Sequence, residues 1–263
     1  MEKALISFSF DDGRGDNLQV IRDIMLPMEI PVTLNVTTGY VDGTCPADLL
    51  PTSKDPLCID DVVMLARDPM VEIALHGDRH QNTQSDIAAG RKKLIEWLQL
   101  PEDQSFGFAS PGSGLPVEDF SSGDSALFAR QITYHRTSLR IQRMRILRVL
   151  CRKAGRILHI PLLYRIAYRD TLMNTAADRT IYSIPVMKDT TYPQLKSMID
   201  LAVRKKMALT LMFHSIVENT GAEDNWSWDK LQFCKLCGYL TQKRNEGALQ
   251  LLTTQQLYDK LRG

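Results

Sequence analysis

Ala4-Leu5-Ile6-Ser7-Phe8-Ser9-Phe10-Asp11-Asp12-Gly13 is an apolar run that closes on two carboxylates and a glycine. Two later stretches are built the same way. Val71-Glu72-Ile73-Ala74-Leu75 ends in His76-Gly77-Asp78-Arg79-His80, and Ala208-Leu209-Thr210-Leu211-Met212-Phe213 ends in His214. Each run has the length of a buried strand, and each delivers metal-binding or acid/base side chains at its C-terminal end. In folds with parallel strands, active sites are assembled at that end.

Working outward from these runs, strand and helix patterns alternate. Strand-like segments at 31–36, 105–109, 131–134, 180–186 and 249–252 are interleaved with helical patterns at 16–26, 60–68, 84–98, 192–206, 228–244 and 253–261. The segment 41–56 reads as a loop. Repeated β–α alternation predicts an α/β fold with a mainly parallel sheet, and this many strands point to a barrel. With 263 residues, 44% of them hydrophobic, the chain is long enough to bury one large core, and residues 1–263 are read as a single domain.

Net charge is +1, which predicts no nucleic-acid partner. No run of eighteen apolar residues exists to span a membrane. The Asp pair lies on the first strand, where a cleaved leader would remove it. Five cysteines, odd in number and scattered, fit a reducing cytoplasm. Cys234 and Cys237 have CxxC spacing inside a helical pattern and read as core thiols.

Two histidines four residues apart, with a carboxylate from another strand, make a three-ligand set for a catalytic zinc, the fourth position being left for water. Such a metal lowers the pKa of water and polarises a carbonyl. A second carboxylate can take a proton and a further histidine can give one. Asp11, Asp12, His76, His80 and His214 supply that inventory. A single histidine at a strand end is more often a satisfied polar residue, and Asp-Asp-Gly alone is more often a turn; five such groups at three strand ends favour a site. His135 and His159 lack such company, and His159, in an apolar stretch, reads as structural.

At these residues the chain resembles the polysaccharide deacetylases, the NodB-homology or carbohydrate esterase 4 family. Ser9-Phe10-Asp11-Asp12-Gly13 is similar to its T-F-D-D-G motif, His76-Gly77-Asp78-Arg79-His80 to H-[ST]-x-x-H, and Leu211-Met212-Phe213-His214-Ser215 to its last motif. The resemblance implies a distorted (β/α) barrel with fewer than eight complete units. It implies a divalent metal, usually Zn2+, on Asp12, His76 and His80, with Asp11 as general base and His214 as general acid. The implied reaction is hydrolysis of an N-acetyl, less often O-acetyl, group on a saccharide. Two positions depart from the pattern. Gly77 replaces Ser or Thr, which predicts a looser loop. In Ala109-Ser110-Pro111, similar to the R-x-P motif, Ala109 takes the place of an arginine that orients the base; Arg136 and Arg14 are the candidate substitutes.

Pro111 of that motif, with Trp226 and Trp228 from Asn225-Trp226-Ser227-Trp228, are candidate substrate-binding residues, since tryptophan faces stack on sugar rings. Each tryptophan is equally open to a packing role.

From Arg130 to Arg169 the sequence holds ten arginines, one lysine and no acid, so the rest of the chain carries about −10. This basic helical insertion, about 130–170, has two readings. It docks on an anionic membrane, placing the chain peripherally at the inner membrane face; or its arginines pair with the acidic remainder or with a second subunit in a homo-oligomer. The expected substrate is a cytoplasmic or lipid-linked surface-glycan precursor. The other readings of function are a related C–N amidohydrolase of deformylase type and a catalytically weakened saccharide-binding homologue.

Overall fold

Alternation along the first strand sets the character of the barrel. In β1 (Ala4–Phe10) the rings of Phe8 and Phe10 turn outward onto Phe233, edge to face at 6.0 and 6.1 Å. Ser7 and Ser9 turn inward, where Ser7 Oγ lies 2.8 Å from Thr210 Oγ1 and Ser9 Oγ accepts from Asn35 Nδ2 at 2.7 Å. The period of two then carries Asp11 to the interior at the strand's C-terminal end. Both faces are buried, so the strand reads as nearly continuous apolar sequence.

The structure is a computed structural model and describes residues 1–46, 55–113, 131–138, 146–176, 179–218 and 225–263. Strands β2 (Val32–Val36), β3 (Val71–Leu75), β4 (Phe106–Ala109), β5 (Ile132–Ser138), β6 (Thr180–Pro185) and β7 (Ala208–Phe213) follow β1, each parallel to the next, and β7 pairs back onto β1. The sheet is a closed parallel barrel. A two-stranded parallel ribbon, β8 (Ser215–Val217) and β9 (Ser227–Asp229), follows β7. β10 (Leu249–Leu252) then pairs with Ala4–Ser7 of β1, whereas Phe8–Phe10 of β1 pair with β2. β10 thus wedges in at the N-terminal ends of the strands, and this distorts the barrel.

The helices are α1 (Asp16–Val20), α2 (Thr38–Val41), α3 (Ile59–Ala66), α4 (Gln84–Leu98), α5 (Ile146–Leu158), α6 (Pro161–Tyr168), α7 (Tyr192–Lys205), α8 (Lys230–Asn245) and α9 (Thr254–Arg262). Side-chain caps start several of them: Thr83, Asp229 and Thr253 each accept a backbone N–H of the first turn.

Some sequence expectations are corrected. The helix predicted from residue 228 begins at Lys230, because Trp228 lies on β9. The strand predicted over 131–134 runs on to Ser138 and so includes His135 and Arg136. His159 is exposed, with φ +52 in the turn between α5 and α6, rather than packed among its apolar neighbours. Cys237 is a core thiol, but Cys234 is exposed. Of the basic insertion, residues 139–145 and Arg130 lie outside the described residues.

Candidate metal centre and active site

The three strand ends named at the outset converge. Asp12 follows β1 in a left-handed turn at φ +76, and His80 closes its own loop at φ +56. Such conformations are costly for residues with a Cβ and persist where the surroundings enforce them. Their effect is to aim both side chains at His76. His76 Nε2 lies 3.3 Å and His80 Nε2 3.4 Å from Asp12 Oδ1, and all three ligand atoms fall within 4.8 Å of one another.

This spacing fits a metal. Tetrahedral ligands on bonds of about 2.0–2.1 Å are roughly 3.3 Å apart. The tautomer suits a metal too: His76 Nδ1 lies 2.8 Å from the carbonyl oxygen of Ala109 and donates there, so an ion taking the place of the Nε2 proton would find the Nε2 lone pair beside Asp12. Asp12 Oδ2 accepts from Arg14 Nε at 3.0 Å, which leaves Oδ1 for the histidines. Burial opposes ionisation of Asp12, yet hydrogen bonds from His76 and His80 outweigh it and hold the carboxyl well below the usual range.

Asp11 is gripped from two sides. Arg136 Nη2 reaches both carboxylate oxygens at 2.6 Å, and Asn35 Nδ2 donates to Oδ1 at 2.8 Å. Burial raises the Asp11 pKa, but the Arg136 charge beside it outweighs that and lowers it, so the group is ionised. The arginine comes from the strand beside the expected one. Ala109 and Arg136 are register partners on β4 and β5, and paired residues of a parallel sheet point to the same face. Of the two candidates left open by the sequence, Arg136 serves Asp11 and Arg14 serves Asp12.

The loop from Gly77 to His80 is not loose. Asp86, in the first turn of α4, accepts from the backbone N–H groups of Asp78 at 3.1 Å, Arg79 at 2.8 Å and Gln81 at 3.0 Å. Gly77 sits at φ +82, and a Cβ there would meet Asp86 Oδ2 at 2.3 Å. Asp86 braces the loop and requires the glycine.

His214 faces this group across a cavity of about 360 Å³, lined also by Asp11, Asp12, Arg14, Ser110 and Trp226. Its carbonyl accepts from Asn17 Nδ2 at 2.7 Å, which pins the strand end. Burial takes its pKa from 6.5 down to about 4, against the pull of Asp12 and Asp11, so the ring is neutral near pH 7. Trp226 is partly exposed, with its ring 4.5 Å from that of His214. Trp228 departs from expectation: it is fully buried, donates through Nε1 to Thr190 O at 2.6 Å, and packs on Phe213. Pro111 is buried and its carbonyl accepts from Asn82 Nδ2 at 2.6 Å; its neighbours Ser110 and Gly112 line the cavity.

Sequence reading missed Asp86, Asn35 and the Ser110–His135 pair. Ser110 Oγ hydrogen-bonds His135 Nε2, and His135 stacks on Phe108 at 5.8 Å. The signal for His135 was its adjacency to Arg136, obscured because the polar end of β5 from His135 to Ser138 does not read as a strand.

No protein-family model matches the chain, and neither does any curated protein. Solved structures similar to it include the Xyl-CE4 domain of a multidomain xylanase from the hindgut metagenome of Trinervitermes trinervoides, at 12% identity and TM-score 0.47, covering 98% of this chain and 91% of that one. A family 4 acetyl xylan esterase from Clostridium thermocellum, in complex with cobalt, is similar at 13% identity and TM-score 0.47, covering 97% and 90%. The peptidoglycan deacetylase PdaC from Bacillus subtilis is similar at 10% identity and TM-score 0.45, covering 98% and 91%. Similarity this distant leaves the reaction to the site's own residues.

Proposed function

We propose that this chain is a metal-dependent hydrolase of the polysaccharide deacetylase type, removing an N-acetyl or O-acetyl group from a saccharide. The observation that carries the reading is the meeting of Asp12, His76 and His80 at metal-ligand spacing, with ionised Asp11 and neutral His214 in the same cavity. A divalent ion there, Zn2+ by the chemistry of a two-histidine, one-carboxylate set, would polarise the acyl carbonyl and acidify a water.

The chain's own residues do the rest. Asp11, kept ionised and oriented by Arg136 and Asn35, accepts the proton of the attacking water. His214, neutral at rest, presents an N–H to the leaving nitrogen or oxygen; as it gives that proton up it is reprotonated by the proton Asp11 took from the water, so the leaving group gains one proton and both residues return to their starting states. Trp226 offers an apolar face beside His214 for a sugar ring. Ala109 and Gly77 give no support to a catalytically weakened homologue, since Arg136 and Asp86 do the work of the residues they replace.

The reading extends to a surface-glycan precursor, cytoplasmic or lipid-linked, as substrate. The five cysteines are all free, in keeping with a reducing compartment. The test is release of acid from N-acetylated and O-acetylated oligosaccharides by protein loaded with Zn2+. Acetate release that is lost in Asp11→Asn supports the reading. Formate release from a formylated aminosugar, without acetate release, supports the deformylase-type alternative.

A further inference from the structure

The outward face of α5 is apolar, and its arginines lie half-buried beside an inner seam of Cys151 and Gly155. Ile146, Leu147, Leu150, Ile157 and Leu158 fall within one stripe of the helix and are 57–81% exposed. Arg148, Arg152 and Arg156 repeat every four residues on the other side. Arg148 pairs with Asp170 and Arg156 with Asp189, the latter at 2.5 Å. Cys151 and Gly155 are the buried residues of α5, and Gln194 of α7 donates to Gly155 O at 2.6 Å, so a narrow inner seam and the arginine pairs beside it hold the helix to the barrel. A surface helix ordinarily turns its large aliphatic side chains to the core and leaves its charged ones to solvent, whereas here the five largest apolar side chains are the exposed ones.

We propose that this face of α5 docks on an anionic lipid membrane. Charge selects the occupant. Between residues 146 and 169 the sequence has six cations and no acid. Two nearby carboxylates, Asp170 and Asp189, are engaged by arginines. Lys153 is exposed on α5 at the edge of the stripe. A second copy docking through the same patch would bring like charges face to face. An anionic bilayer instead accepts the aliphatic side chains below its headgroups and the cations among them. The acidic remainder of the chain, about −10 outside residues 130–169, favours the same orientation. α5 is about 20 Å long, enough to lie in the interface but not to cross it, and no described helix is long and apolar enough to cross.

The helix that carries the patch is tied to the loop beside the active site. Asp189, which holds Arg156, lies in the link after β6, and Lys188 N in that link donates to Asn225 O, beside Trp226. If the deacetylase reading holds, docking brings the cavity mouth toward saccharides displayed on lipid. The docking itself does not depend on that reading.

Co-sedimentation with phosphatidylglycerol–phosphatidylcholine vesicles, and with phosphatidylcholine alone, tests it without any assay of turnover. The expected results are binding to the anionic vesicles at low salt, weakening as salt is raised, and little binding to the neutral ones. Leu150→Glu/Ile157→Glu, which leaves the arginine pairs intact, lowers the partition coefficient about tenfold or more, with unfolding midpoint and metal content unchanged. Lys153→Glu, a milder change, weakens binding in the same direction. Failure of the wild-type chain to bind anionic vesicles at low salt overturns the proposal. So does equal binding by the folded double variant, or a wild-type dimer that the double variant breaks while neither protein binds lipid.

Discussion

Arg136 Nη2 stands 2.6 Å from both carboxylate oxygens of Asp11, and both side chains are buried. The pair fixes the orientation and the ionisation of the base at once. Arg136→Lys keeps a charge but loses the planar fork, and a fall of about a hundredfold in kcat is expected at unchanged metal content. Arg136→Ala leaves Asp11 buried and uncompensated, at a cost of about 3–5 kcal/mol in stability. Because Ala109 is the register partner of Arg136, Ala109→Arg in that background regains part of the lost activity. Steady-state kinetics with metal analysis checks all three.

Gly77→Ser moves the sequence toward the family pattern, and it is expected to harm this chain. The new Cβ would meet Asp86 Oδ2 at 2.3 Å from a backbone at φ +82. A loss of about 1–3 kcal/mol is expected, with weaker metal binding through His76 and His80. Asp86→Ala removes three charge-assisted hydrogen bonds and costs about 3 kcal/mol or more. Urea denaturation of both variants gives the comparison.

The two tryptophans separate cleanly. Trp228→Ala empties a core position and costs about 3–5 kcal/mol. Trp226→Ala changes stability by less than about 0.5 kcal/mol and raises KM for a saccharide substrate. Thermal unfolding and saturation kinetics read the two effects.

His135 makes the fold acid-sensitive. Burial, with the Arg136 charge, lowers its pKa from 6.5 to about 3. The unfolded chain therefore takes up a proton near pH 6.5 that the native chain refuses until about pH 3. Stability is fully present above pH 6.5 and falls as pH drops, by up to about 1.4 kcal/mol per pH unit at this residue. His214 acts in the same direction down to about pH 4, while His76, whose pKa is raised, acts oppositely above its ordinary value. Denaturation at a series of pH values is expected to show a shallower slope in His135→Gln.

The barrel was legible because its strands are buried on both faces and read as apolar runs, and the ligands because each lies at the end of such a run. β5 was only partly legible. His135, Arg136, Thr137 and Ser138 extend it with polar side chains, Arg136 among them facing the polar interior, so hydrophobicity gave no sign of this end of the strand or of its arginine. Asp86 was hidden for another reason. It acts on the Gly77–His80 loop from the start of a helix, and a helix-start aspartate has an ordinary explanation in capping. Trp228 shows the converse, since a helical pattern predicted from residue 228 concealed a short strand that buries it. Local spacing could not reveal the outward turn of the apolar stripe on α5, because amphipathicity fixes two faces without saying which one packs.

The most direct measurement is anomalous diffraction at the zinc edge from crystals grown with Zn2+. One peak is expected per chain, about 2.0–2.2 Å from Asp12 Oδ1, His76 Nε2 and His80 Nε2, and it should vanish in His76→Ala. A peak held by other residues, or none at saturating zinc, would contradict the account.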